Sequence, residues 1–210
     1  MTLRFTALAL VFLATACSRN GEIGDGGIYI TRSACPQVGI PAATGDITLF
    51  SPANRIDAAA LDVSAAITNV RSTCDESGAN VVSVATFDVV ATRRDAGPAR
   101  TVVLPYFSIA MQAGTQVVAK RLGNIGLNFA AGSQRAQTSG QATIRVSRSV
   151  ATLPEEVRKE LTRKRKPTDV DASVDPLSEP KIREAVARAT FEHLVGFQLT
   201  QEQLRYNATR

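Results

Sequence analysis

Tryptophan is absent from the 210 residues, aromatics make up only 5%, and there is a single histidine. Few aromatic faces argue against a stacking platform for sugar rings. One imidazole, and three cysteines with none in C-x-x-C spacing, leave a zinc centre short of ligands. The same scarcity forces any Ser-His-Asp relay through His193, which falls inside an alternating strand pattern where a packed histidine is the ordinary outcome. No apolar run reaches the about 20 residues of a spanning helix. Gly21–Gly27 is glycine-rich, yet no strand–helix unit follows it, so it is no phosphate loop. Neither sign of charge is in large excess: the formal net charge is +5 and the isoelectric point about 9.4. No cofactor is implied.

What is present begins at the N-terminus. Met1–Arg4 carries one cation, Phe5–Ala16 (FTALALVFLATA) is apolar, and Ala14-Thr15-Ala16 sets small residues before Cys17. This is the layout of an export signal over residues 1–16. Cys17, directly after the small residues, resembles the lipidated cysteine of the bacterial lipoprotein lipobox. Ala14-x-Ala16 also fits ordinary signal cleavage, which leaves a soluble periplasmic chain with a free thiol as the other reading. Acylation at Cys17 would anchor the chain to a membrane without spanning it. The resemblance implies an outer-membrane address facing the periplasm, because Ser18, rather than the inner-membrane Asp, follows the cysteine. That compartment excludes nucleic acid as the partner of the mild positive charge. Anionic lipid or another envelope polymer takes its place.

Removing the signal leaves Cys35 and Cys74, an even pair in an oxidising space, and the pairing expected is a disulfide. It would close a loop of about 40 residues and stabilise by roughly 4 kcal/mol in the chain-entropy model. Two buried thiols or a metal pair are the alternatives, the second short of ligands. Residues 17–33, with Ser18–Gly27 polar and glycine-rich, read as a lipidated N-terminus and flexible tether. Residues 34–150 read as short strands between turn signals. Leu61–Thr68 alternates, and Val81–Thr92 is rich in β-branched residues. Thr101–Gln112 carries Pro105, which predicts an edge strand or a bend because proline cannot donate to the ladder. Gln116–Leu122, Ile125–Ala130 and Gln141–Val150 follow. The pattern predicts a mainly β fold, an immunoglobulin- or fibronectin-like antiparallel β-sandwich. A barrel remains the alternative.

Residues 151–189 change character. Thr152-Leu153-Pro154-Glu155 has the form of a capping box and predicts a helix over Pro154–Lys166, with acids first and cations last. Val157 and Leu161 are its only good apolar contacts, so it should lie loosely on the surface. Its cations Arg158, Lys159, Arg163, Lys164, Arg165 and Lys166 form the one candidate contact surface, with anionic lipid as its partner and an ordinary solvated helix end as the plain alternative. Pro167–Pro180 reads as an acidic, proline-rich loop, and Lys181–Ala189 as a short helix.

Residues 190–210 complete the domain. Phe191, His193, Val195, Phe197 and Leu199 alternate as a final strand, and Thr200-Gln201-Glu202-Gln203 is a second capping box. Gly196-Phe197-Gln198-Leu199-Thr200-x-Glu202-Gln203-Leu204-x-Tyr206-Asn207, with Cys35-Pro36 near the mature N-terminus, resembles the signature of a group of bacterial envelope lipoproteins with no assigned reaction. The resemblance implies a shared β-rich fold and address, and it leaves 154–180 as an insertion.

The remaining constellations are thin. Asp169, Asp171 and Asp175 have carboxylate spacing but lack the glycine and terminal glutamate of a calcium loop. Glu155 and Glu156 suit a helix N-terminus better than a glycosidase pair. Asn207-Ala208-Thr209 matches a glycosylation sequon in form only. The expectation is a non-enzymatic accessory lipoprotein, held on the membrane through its N-terminal lipid and binding another envelope protein. The alternative is a periplasmic carrier for a lipid or small hydrophobic ligand.

Overall fold

The computed structural model describes residues 33–209, and upstream of them the paired backbone of β1 (Gly21–Gly24) and β2 (Gly27–Ile30). Met1–Ala16, Cys17 and Ser18 lie outside the described residues. Part of the expected flexible tether is thus a short antiparallel hairpin. The strands that follow are β3 (Gln37–Gly39), β4 (Asp46–Phe50), β5 (Leu61–Asp75), β6 (Asn80–Arg93), β7 (Arg100–Gln112), β8 (Gln116–Phe129) and β9 (Arg135–Ser147). Then come α1 (Arg148–Ala151), α2 (Glu155–Thr162), α3 (Pro180–Ala189), β10 (Phe191–Phe197) and α4 (Gln201–Thr209). The strands form two four-stranded sheets, ordered β3-β10-β7-β8 and β4-β5-β6-β9. Within them only the β10–β3 pairing is parallel. The chain is therefore mainly β with two sheets rich in antiparallel pairs.

Period-two burial explains why these segments are strands. Along β6, every second residue from Val81 to Arg93 is buried, and the intervening ones face outward. One apolar cluster takes Ile47, Val63, Phe87 and Val89 from one sheet and Leu104, Leu127, Phe129, Val195 and Phe197 from the other. The two sheets therefore face each other across a common interior. A smaller cluster of Val81, Ala110, Ile144, Val146, Ala151 and Phe191 fills the end nearest α1, with Ala34 and Cys35 packed against it. Cys35 and Cys74 are joined there by a disulfide, tying the segment before β3 to β5 in the opposite sheet.

At the other end of β6, Arg93 is 6% exposed. Its guanidinium donates to the carbonyls of Ser133, Pro98, Gly97 and Ala130 at 2.7–3.0 Å and lies 5.3 Å from the Phe129 ring centroid. A buried cation costs several kcal/mol unless its donors are satisfied. Four carbonyls from two loops satisfy it and fix those loops to each other.

Several local expectations are corrected. Pro105 is not on an edge, since β7 is interior, between β10 and β8, and runs through it unbroken. The Pro105 carbonyl accepts from Gln198 N–H at 2.9 Å. The missing donor therefore faces the same side, opposite Gln198 and one residue past the end of β10 at Phe197, so the bond proline cannot make falls beyond the last pair of the ladder. The two segments flanking Gly123 are one strand, β8. Glycine is needed at that point because a Cβ would sit 2.6 Å from the Tyr106 ring. β9 stops at Ser147, and Arg148–Ala151 turns into α1. The first capping box does not form: the Thr152 hydroxyl donates to the Arg148 carbonyl, Pro154 is the N-cap, and α2 ends at Thr162 instead of Lys166. Lys181–Ala189 is helical as expected, within α3.

Two substitutions test this architecture. Replacing Cys35 with Ala should lower the melting temperature, since the loop it closes spans 39 residues and such closure contributes roughly 4 kcal/mol; an unchanged melting temperature would remove the crosslink from the stability of the fold. At Gly196 a Cβ would collide with Thr44 and Phe107, so Gly196→Ala should cost about 1–3 kcal/mol in urea unfolding.

Candidate functional site

His193 is completely buried, with Ser83 (0% exposed) on one side and Ser108 (4%) on the other. Its Nδ1 lies 3.0 Å from the Ser83 hydroxyl and its Nε2 3.0 Å from that of Ser108. Ser83 belongs to β6 and Ser108 to β7, so the imidazole bridges the two sheets. Both ring nitrogens are used, one as donor and one as acceptor in the neutral form. Burial pushes the His193 pKa down from 6.5 to about 4, and no charged group contributes to that shift. The pattern is that of a neutral, buried crosslink.

The other carboxylate and cation candidates are drawn together at the surface. Arg163 and Arg165 both contact Glu160 and Asp171, Arg165 reaching Glu160 at 2.7 Å. Arg158 and Lys159 both pair with Glu155. Four of the six cations in the expected contact surface are thus matched by carboxylates of their own segment. The guanidinium of Arg163 helps hold the Asp171 carboxyl below the usual range, against a desolvation that works the other way. Asp169 accepts from the Lys166 N–H and Asp175 from the Leu177 N–H, so these acids brace turns. Among the described residues, no group of three or more His, Cys, Asp or Glu is placed to hold a metal ion. No described helix is long and apolar enough to cross a membrane.

The C-terminal motif forms a clasp. Gly196 admits the Thr44 and Phe107 side chains, and Phe197 N–H donates to the Thr44 carbonyl at 2.8 Å. The second capping box forms as expected: Thr200 N–H donates to Gln203 Oε1 and Gln203 N–H to Thr200 Oγ1. Tyr206 meets Phe50 edge to face at 5.3 Å, and the Asn207 amide donates to the carbonyls of Ala43 and Asp46. Tyr206 and Asn207 thereby seat α4 on β4 and the loop before it.

An open feature lies beside that clasp. The outer face of the β4-β5-β6-β9 sheet carries a shallow groove of about 650 Å³. It is lined on this face by Ser64 and Ala66 on β5, Val90 and Thr92 on β6, and Arg135 and Gln137 on β9, with Asp46 and the buried Thr48 on its β4 side. Small residues on β5 lower the floor between longer neighbours. Its trace in the sequence is the run Ser64-Ala65-Ala66, which within an alternating strand does not mark a groove.

The His193 geometry sets a pH dependence. Its folded pKa lies below its unfolded value, so the unfolded chain binds the proton more readily between them. The resulting stability is complete above about pH 6.5 and is lost as pH falls toward about 4, an effect on the order of 3 kcal/mol. Urea midpoints measured across that window should fall steeply for the wild type and much less for His193→Gln; parallel curves would show that His193 does not control the acid limb.

The chain matches no family model, no curated protein and no solved structure.

Proposed function

We propose that this protein is a lipoprotein anchored at Cys17 in the outer membrane, facing the periplasm, and that it acts as a non-enzymatic interaction module. Its body is read as an immunoglobulin- or fibronectin-like sandwich, which two four-stranded sheets around one interior support. The sandwich is a scaffold; function rests on what it displays.

The observation that carries the interaction reading is the groove over Ser64 and Ala66. It is floored by the small side chains of β5 and opens over β6 and β9, where Val90 is 38% exposed, while Thr48 on its β4 side is buried. Such a surface suits a polypeptide laid across the sheet. The interior supports this reading over a lipid carrier, because Phe87, Phe129, Phe197, Leu104 and Leu127 fill the space between the sheets where a ligand would lie. His193 supports the non-enzymatic reading: both its nitrogens are bound to interior serines. The cluster from Arg158 to Lys166 is a weaker candidate for lipid contact, given its internal ion pairs.

Two measurements test the parts separately. Cys17→Ser should move the protein from the membrane to the soluble fraction of the envelope, and retention would sink the anchor. Ala66→Arg fills the groove on an outward position and should abolish in-cell crosslinks formed from a photoreactive residue at Val90, with the urea midpoint unchanged. Crosslinks that persist would place the partner elsewhere.

A further inference from the structure

The β7–β8 hairpin has a composition and a position that the groove reading does not use. From Gln116 to Leu122, β8 is exposed on both faces. Val117, Val118 and Leu122 are 50%, 46% and 67% exposed, a concentration of aliphatic surface in seven residues. Among the described residues β8 is an edge strand, hydrogen-bonded to β7 alone. Exposed aliphatic edges are ordinarily blunted or covered, which makes this one a contact candidate.

The charge of the hairpin is one-sided. From Ile109 to Leu122 (IAMQAGTQVVAKRL) there is no Asp or Glu, and the two charged residues are Lys120 and Arg121. Neither makes an ion pair among the described residues. Lys120 lies over the Phe107 ring, 5.5 Å from its centroid, which holds the cation on the sheet surface. Four of the cations between Arg158 and Lys166, by contrast, are already matched by their own carboxylates. Aliphatic side chains flanking two cations complement an anionic bilayer surface, where acyl carbons take the apolar groups and headgroups take the charge.

Register places this hairpin beside the point where the chain enters the domain. Gln37 at the start of β3 pairs with Glu192, Glu192 with Met111, and Met111 with Val117. One row across the sheet therefore joins the first residue of β3 to the exposed stretch of β8, three strand spacings or about 14 Å away. A chain arriving from Cys17 meets the domain at the hairpin end. The groove lies on the outer face of the other sheet.

We propose that the β7–β8 hairpin is a membrane-docking element, seating Val117, Val118 and Leu122 in an anionic bilayer with Lys120 and Arg121 among its headgroups. The orientation rests on the Cys17 anchor reading; the chemistry of the hairpin does not. Docking would hold the domain against the membrane and leave the groove facing the periplasm.

The absence of tryptophan supplies a clean probe. Leu122→Trp and, as a control, Val90→Trp each introduce a single indole into the full chain at an exposed position. Each protein is purified from its native envelope and reconstituted into vesicles of phosphatidylethanolamine and phosphatidylglycerol, with and without bromine on the acyl chains. Emission from Leu122→Trp should lose roughly half its intensity or more with brominated lipid, since interfacial insertion reaches about 5–10 Å, while Val90→Trp stays unquenched. Adding Lys120→Glu and Arg121→Glu to Leu122→Trp should restore most of the emission. An unquenched Leu122→Trp, or a blue shift with no bromine quenching, would overturn the proposal; the shift would mean a protein covers the hairpin instead. Intact mass on the same preparation reads acylation at Cys17. A quenched probe on an unacylated chain would sink the anchor alone, and an unquenched probe on an acylated chain would sink the hairpin alone.

Discussion

The inward row of β6 is the constraint around which the rest is arranged. Seven alternate positions from Val81 to Arg93 point between the sheets. The middle of the row is apolar and meets β4, β5, β7, β8 and β10 through Phe87, Val89 and their neighbours. Two members are polar. Ser83 reaches the opposite sheet through His193, and Arg93 gathers the loops after β6 and β8. Burying a polar group without a partner costs about 1–3 kcal/mol, so these two positions tolerate only arrangements that bring their partners into place. Apolar packing supplies most of the attraction between the sheets. The polar members fix how the sheets lie on each other.

The two ends of that row differ in kind. At the Arg93 end the cation is compensated by carbonyl dipoles, whose geometry is set by loop backbone and does not vary with pH. At the Ser83 end the serine hydroxyls can bond either form of the ring, but burial favours the neutral imidazole. The disulfide from Cys35 to Cys74 sits at this second end, beside the smaller apolar cluster. Ser83 pairs with Cys74 across the β5–β6 ladder, so the covalent link and the proton-sensitive link are on adjacent strands.

Alternation made β5, β6, β7 and β10 legible in the sequence, because one buried face leaves a period of two. The Thr200–Gln203 box was legible for a similarly local reason: both partners lie within one turn. Elsewhere tertiary context decided. Thr152 has the residues of a capping box, yet α1 immediately before it supplies the Arg148 carbonyl to its hydroxyl. Pro105 reads as an edge residue until β10 is seen to stop one residue short of it. Arg93 falls in phase with six inward positions of β6, and that phase was the available sign of its burial; its acceptors come from residues 97–133 and leave no local pattern. The end signature could be recognised by its spelling, but its contacts with Thr44, Phe50, Ala43 and Asp46 required the fold. The groove was hidden for the opposite reason, since small outward residues on β5 carry no periodic signal.

The parallel pairing of β3 with β10 has a consequence for how the chain reaches this state. Gln37 and Glu192 are neighbours in one sheet although 155 residues separate them along the chain. Loop-closure entropy grows slowly with length, but contacts of such separation delay the transition state. Until β10 arrives, β3 has no strand to pair with and β7 lacks one side of its ladder. A chain delivered from its N-terminus onward therefore holds an open β7 margin while residues 113–190 follow it. The β7–β8 hairpin can pair locally, but completion of the sheet waits on the seven residues of β10, and until then the other side of β7 is an unpaired strand edge of the kind that promotes aggregation.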